Sequence, residues 1–218
     1  VWGQERIREY VAGQRDMYRY LHDQTLRLMS HGRTPREIAA ELLMPNKLSK
    51  QWFARGYYGA VAHNVEAIYA HYLGPYAGNP AQLNPLPPAE AAVKYLEYMG
   101  GADAVLRRAR EDFDAGQFRW VAEALNHVVF ADPAHREARE LAADAMEQLG
   151  YQAESATWRN SYLLAARELR STSAASTPKG VSISPDVIAV LPFGSFLEYL
   201  GIRVNGEKAQ HLEARFDW

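Results

Sequence analysis

Through almost all of the first 170 positions, apolar residues return at three- and four-residue steps, a rhythm that restricts the chain to amphipathic helices packed on one another. Ile7, Tyr10, Val11, Met17, Leu21, Thr25 and Leu28 set out one long helix over residues 4 to about 30, closed by Gly32. Thr34-Pro35-Arg36-Glu37 then supplies an N-cap hydroxyl, a proline at the first helical position and a glutamate placed to close a capping box. That start predicts a short helix through Leu43, before Pro45. Val61, Val65, Ile68, Tyr69 and Tyr72 mark a further helix that halts at Gly74-Pro75. The prolines and asparagines of residues 78 to 88 make an irregular connection.

Beyond it, residues 89 to 99 and 102 to 170 read as successive helices with breaks at Gly116, Asp132-Pro133 and Gly150. Gly116 and Gly150 stand 34 residues apart, the tetratricopeptide spacing. Ala122, Ala124, Ala142, Ala143 and Ala145 suit the close helix contacts of such repeats. A plain helical bundle is the alternative. Residues 172–184 are small, polar and unpatterned, as in a linker. From 185 to 218 the texture changes: an apolar aromatic run is followed by two predicted strands around Asn205-Gly206, a strong hairpin signal. The fold class expected is therefore mainly α, with a helical arm over 1–88, tetratricopeptide-like helices over 89–171, the linker, and the start of an α/β domain over 185–218. Because the chain opens without Met and closes on an alternating segment with no strand to pair with, we expect an internal piece of a longer polypeptide.

Composition narrows the partners. With 48% hydrophobic and 23% charged residues the chain can bury a core, and its net charge of -2 provides no basic field for a nucleic acid. No apolar run is long enough to span a bilayer. There is no cysteine, and the seven histidines form no HExxH or HxH pattern, so no metal site is readable.

The segment RGYYGAVAHN, residues 55–64, carries more polar chemistry than a turn requires. Arg55 offers a permanently charged fork matched to sulfate, phosphate or carboxylate oxygens, and Tyr57 and Tyr58 carry hydroxyl donors beside a helix start, where unpaired N–H groups favour anions. His63 is the best acid-base candidate, with Asn64 next to it. Trp52 and Phe53 suit an apolar wall, and Tyr69, His71, Tyr72 and Tyr76 add aromatic edges suited to core or interface. An ordinary arrangement fits the same residues: Arg55 paired with a surface carboxylate, the tyrosines packed, His63 bonded to a neighbouring helix.

RGYYGAVAHN and the later HYLGPYAGNP (71–80), with the opening WGQERIREYVAGQRDMYRYLHDQTLRLMSHGRTPREIA, resemble the alkyl sulfatases, zinc enzymes with a metallo-β-lactamase-type catalytic domain. Residues 4 to about 171 resemble that family's dimerisation domain, and SISPDVIAVLPFGSFLEYLGIRVNGEKA resembles the start of its sterol-carrier-protein-like C-terminal domain. The resemblance implies a homodimer that hydrolyses alkyl sulfate esters to alcohol and sulfate, with two zinc ions bound by a catalytic domain outside this chain. It implies His63 as the group that protonates or hydrogen-bonds the leaving group, Arg55, Tyr57, Tyr58, Asn64 and Tyr76 around the sulfate, and a periplasmic or secreted address. The competing expectation is a non-catalytic tetratricopeptide-like module that binds proteins. About three repeats are usual for such a module, and the sequence offers about two.

Overall fold

The structure is a computed structural model that describes residues 1–171, 184–213 and 215. The chain divides into two compact units, Val1–Thr172 and Ser173–Trp218. The predicted linker at 172–184 lies outside the described residues except for Ser184.

Two cores hold the first unit together. In the first, α1 (Gln4–Ser30), α2 (Pro35–Glu41) and α4 (Val61–Leu73) enclose Leu21, Leu28, Ile38, Leu42, Val65 and Tyr69. The apolar stripe of α1 is buried only in its second half, at Leu21, Thr25 and Leu28; the Thr25 hydroxyl donates back to the Leu21 carbonyl at 2.6 Å, which lets a polar side chain sit fully inside. The predicted capping box is present: Thr34 Oγ1 accepts from Glu37 N–H and the Glu37 carboxylate accepts from Thr34 N–H at 2.8 Å. The helix closes at Glu41, with Leu42 turned into the core and Leu43 left outside. A short α3 (Asn46–Ser49) and a 3₁₀ turn at Trp52–Ala54, neither foreseen, bring the chain back to α1. A lateral pin joins α1 to α4, His22 Nε2 lying 2.7 Å from the Tyr72 hydroxyl and Nδ1 2.8 Å from Asp23. The hydrogen bond from His22, then that from Arg19, holds the Asp23 carboxyl below the usual range.

The second core belongs to α5 (Pro88–Met99), α6 (Ala102–Asp114), α7 (Phe118–Ala131), α8 (Arg136–Gln152) and α9 (Ala156–Arg170). Val105, Leu106, Val121, Leu125 and Val128 fill it, and Ala124, Ala138, Ala142 and Ala145 let the helix axes approach. Gly116, at φ 75°, ends α6, where a residue with a Cβ would be strained. Gly150 does not end a helix as the sequence suggested. It lies inside α8, where an added Cβ would stand 2.9 Å from Leu163 of α9, so its function is close packing rather than termination. The 34-residue interval survives in another form, since α6 and α8 begin at Ala102 and Arg136.

In the second unit, α10 (Pro185–Val190) starts from a Ser184 cap, and α11 (Phe193–Arg203) follows. The predicted hairpin is overturned at its turn. Asn205 is the N-cap of a short α12 (Gly206–Ala209), its Oδ1 accepting from Lys208 N–H at 2.9 Å. The same short amide that favours a hairpin turn also caps helices, and here the cap prevails. No strand occurs among the described residues; Ala214 and residues 216–218 of the second predicted strand lie outside them.

Candidate functional site

Residues 55–60 form a tight loop between the 3₁₀ turn and α4. At Gly56 the chain folds closely on itself: a Cβ there would lie 3.0 Å from the Gly59 carbonyl oxygen, a tight contact that the loop would have to relax to admit. The amide of Asn64 rests against the loop at Gly59, its Oδ1 3.4 Å from where a Cβ would stand.

The loop is clamped from two sides. On one, Gln14 of α1 donates to the Phe53 carbonyl at 2.5 Å, and the Phe53 ring lies where Gly13 leaves room for it, edge-on to Tyr10 at 5.2 Å between centroids. On the other, the corner between α8 and α9 receives the loop backbone. Ala156 N–H donates to the Tyr57 carbonyl at 2.8 Å, while Ser155 Oγ and Thr157 Oγ1 donate to the Tyr58 carbonyl at 2.6 and 2.9 Å. Arg55 Nε donates to Glu154 Oε1 at 2.7 Å and Nη2 reaches the same oxygen. With their carbonyls held, both tyrosine side chains turn outward, Tyr57 at 53% and Tyr58 at 79% exposure.

What results is an open cleft of about 740 Å³. Arg55, Tyr57, Tyr58, His63 and Asn64 all line it, so five of the six residues singled out in the sequence come together. Its apolar wall includes Met17, Met44, Phe53 and Trp158, and Thr157 and Ser161 add hydroxyls. His63 is exposed on this surface in the first turn of α4, a helix whose N-cap, Ala60, makes no side-chain cap. First-turn N–H groups without an internal partner add positive potential at that end of the cleft. One permanent cation, several hydroxyls, an amide and an imidazole on a half-apolar cleft are suited to hold an oxyanion and pass it a proton.

Tyr76 does not join them. It follows Gly74, the C-cap of α4, and a 13-residue helix is about 20 Å long, so it lies at the far end from His63. Spacing along the sequence had grouped residues that the helix separates. Trp52 stacks on Tyr10 at 5.9 Å and lies outside this cleft, leaving Phe53 as the shared wall. The ordinary arrangement is realised in part, since Arg55 is paired with a carboxylate. Glu154, Ser155 and Thr157 were not picked out in the sequence; Ser155 carries a legible sign as the N-cap of α9, but nothing marks its second partner 97 residues away.

Fold and cleft together define a helical domain with two cores and a cleft suited to an oxyanion. The chain belongs to the alkyl sulfatase dimerisation family, whose model matches residues 34–172. It is 56% identical over 95% of its length to the alkyl/aryl-sulfatase BDS1 of Saccharomyces cerevisiae, covering 32% of that protein. It is 48% identical over its whole length to a linear primary-alkylsulfatase of Pseudomonas sp., again covering 32%. The solved structure of the stereoselective inverting sec-alkylsulfatase Pisa1 from Pseudomonas sp. superposes with a TM-score of 0.87 at 48% identity, over 96% of this chain and 33% of that one. The chain thus spans about a third of the length of these relatives.

Proposed function

We propose that this chain is the dimerisation and substrate-covering part of a zinc-dependent alkyl sulfatase that hydrolyses alkyl sulfate esters to alcohol and sulfate, working as a homodimer. The observation that carries the reading is the gathering of Arg55, Tyr57, Tyr58, His63 and Asn64 on one cleft that is also lined by Met17, Met44, Phe53 and Trp158, a match to a substrate with an anionic head and a hydrocarbon tail. The names of the relatives support the substrate class. Among the described residues no group of three or more His, Cys, Asp or Glu is placed to hold a metal ion. In this reading the two zinc ions are held by a catalytic domain outside this chain.

The chain's own residues do the rest. Arg55 Nη1, for which no partner occurs among the described residues, and the tyrosine hydroxyls donate to sulfate oxygens, lowering the energy of charge that builds up as the ester bond breaks. Asn64 orients the head, and His63 donates a proton or hydrogen bond to the departing alkoxide oxygen. The paired helices α6–α7 and α8–α9, a tetratricopeptide-like array in this reading, form the support on which the loop is docked. In the complete protein His63→Ala lowers turnover of a primary alkyl sulfate by roughly two orders of magnitude, with zinc content and dimer size unchanged. Turnover equal to that of the unsubstituted protein removes His63 from the mechanism.

A further inference from the structure

The cation of the cleft is already half neutralised. Arg55 is the sole lysine or arginine among the described lining residues, and its Nε and Nη2 are both taken by one oxygen of Glu154. Glu154 does not itself line the cleft; it stands behind the arginine at the α8–α9 corner, with the side chain 40% exposed. Its other oxygen faces Gly56, 3.8 Å from where a Cβ would be. The neighbouring Arg159 donates from its Nη2 to the backbone carbonyls of Ala153 and Glu154, at 2.9 and 3.3 Å. Among the described residues the ion pair of the Glu154 carboxylate is with Arg55.

A carboxylate paired with the one arginine among the described lining residues has a consequence that depends on the charge of what binds. An alkyl sulfate ester carries one negative charge, whereas the sulfate released by its hydrolysis carries two at neutral pH. Glu154 repels each charge alike, so it weakens the dianion twice as much, on a logarithmic scale, as the monoanion. We propose that Glu154 is a positioning residue that sets the charge selectivity of this cleft, holding the Arg55 fork in place while favouring release of the dianionic product over retention. The inference rests on the alkyl sulfatase reading above.

Across a guanidinium the carboxylate and a bound sulfate are about 7 Å apart, and for a partly exposed pair this corresponds to roughly a threefold effect per charge. The experiment uses the complete protein with inorganic sulfate and a monoanionic, non-hydrolysable alkanesulfonate as competitive inhibitors of alkyl sulfate hydrolysis. Glu154→Gln keeps an acceptor for Arg55 Nε at a half-exposed position and removes the charge. It is expected to tighten the sulfonate Ki about threefold and the sulfate Ki about tenfold, lowering the ratio of sulfate to sulfonate Ki about threefold. Glu154→Asp, which retains the charge, leaves that ratio where it was. A merely structural carboxylate shifts both constants by one factor, and that result, or no shift in either, overturns the proposal. If the unsubstituted protein hydrolyses no alkyl sulfate, the underlying reading fails; if it does and the ratio stays fixed in Glu154→Gln, only the role given to Glu154 fails.

Discussion

Replacing Ser155 by alanine tests whether the α8–α9 corner holds the cleft loop in shape. Ser155 is only 4% exposed, donates to the Tyr58 carbonyl at 2.6 Å and caps α9 through a long, 3.5 Å contact from Trp158 N–H. A cap is worth about 1 kcal/mol, less when stretched, and a neutral hydrogen bond about 1 kcal/mol, so Ser155→Ala costs about 1.5 kcal/mol locally. Thr157→Ala removes a 2.9 Å bond to that carbonyl and a 2.9 Å contact with Ser155 Oγ at a more exposed residue, and costs about 0.5–1 kcal/mol. In either single variant the Tyr58 carbonyl keeps the other hydroxyl, whereas the double variant leaves it with neither. The two substitutions should therefore couple by about 0.5 kcal/mol or more. Hydrogen exchange at the Ala156 amide reads the loop directly, because that N–H is bound to the Tyr57 carbonyl at 2.8 Å. In the complete protein, exchange should quicken about tenfold in Ser155→Ala and about threefold in Thr157→Ala, and clearly more than the product of the two in the double variant. Strict multiplication of the single effects, or an Ala156 amide indifferent to Ser155, would show that the two hydroxyls do not share the loop carbonyl as described.

Gly150→Ala sets two effects against each other: a helix-propensity gain of about 0.8–1 kcal/mol, and a Cβ 2.9 Å from Leu163 whose overpacking costs about 1–3 kcal/mol. The packing term should win by about 1 kcal/mol, seen as a lower unfolding temperature; a rise would show that α9 yields freely. The Glu37 carboxyl is held below its ordinary pKa, first by the Thr34 backbone N–H and then by the Thr34 hydroxyl. Its contribution is present above the unfolded-state glutamate range and is lost as pH falls through the depressed folded value. A pH titration followed at the Thr34 amide by NMR should show that transition below the ordinary range in the unsubstituted protein and lose it in Glu37→Gln; a midpoint at the ordinary glutamate value contradicts the capping geometry.

How much was legible depends on the range of the interaction. The Thr34–Glu37 box, the helix stops at Gly32, Gly74 and Gly116, and the two apolar stripes are set within one or two turns of chain, and the sequence displays them directly. Gly150 misled because glycine has two uses, and only the approach of Leu163 from the next helix tells close packing from termination. Asn205 misled for a similar reason, since a turn and an N-cap draw on the same side-chain chemistry. In the cleft, chemistry-bearing residues clustered within ten positions were found, while Tyr76 was grouped with them by proximity in sequence and removed by the length of α4. Glu154, Ser155 and Thr157 act on the loop from 97 to 99 residues away, and no local pattern announces a partner at that distance.

That long-range clamp also explains why so polar a loop keeps one shape. Residues 55–60 contribute almost nothing to either hydrophobic core, so burial alone cannot order them. Order comes instead from backbone bonds to Ala156, Ser155 and Thr157 on one side and from the Gln14 bond to Phe53 on the other, each anchored on a helix fixed by its own packing. Because α1 belongs to one core and α9 packs beside the other, the positions of Arg55 and His63 depend on how the two layers meet. A substitution that shifts the α8–α9 corner by a fraction of an ångström, such as one at Gly150, therefore reaches the cleft without touching a residue that lines it. Under the proposed alkyl sulfatase reading, turnover of the complete protein should fall by a larger free energy than its unfolding stability does.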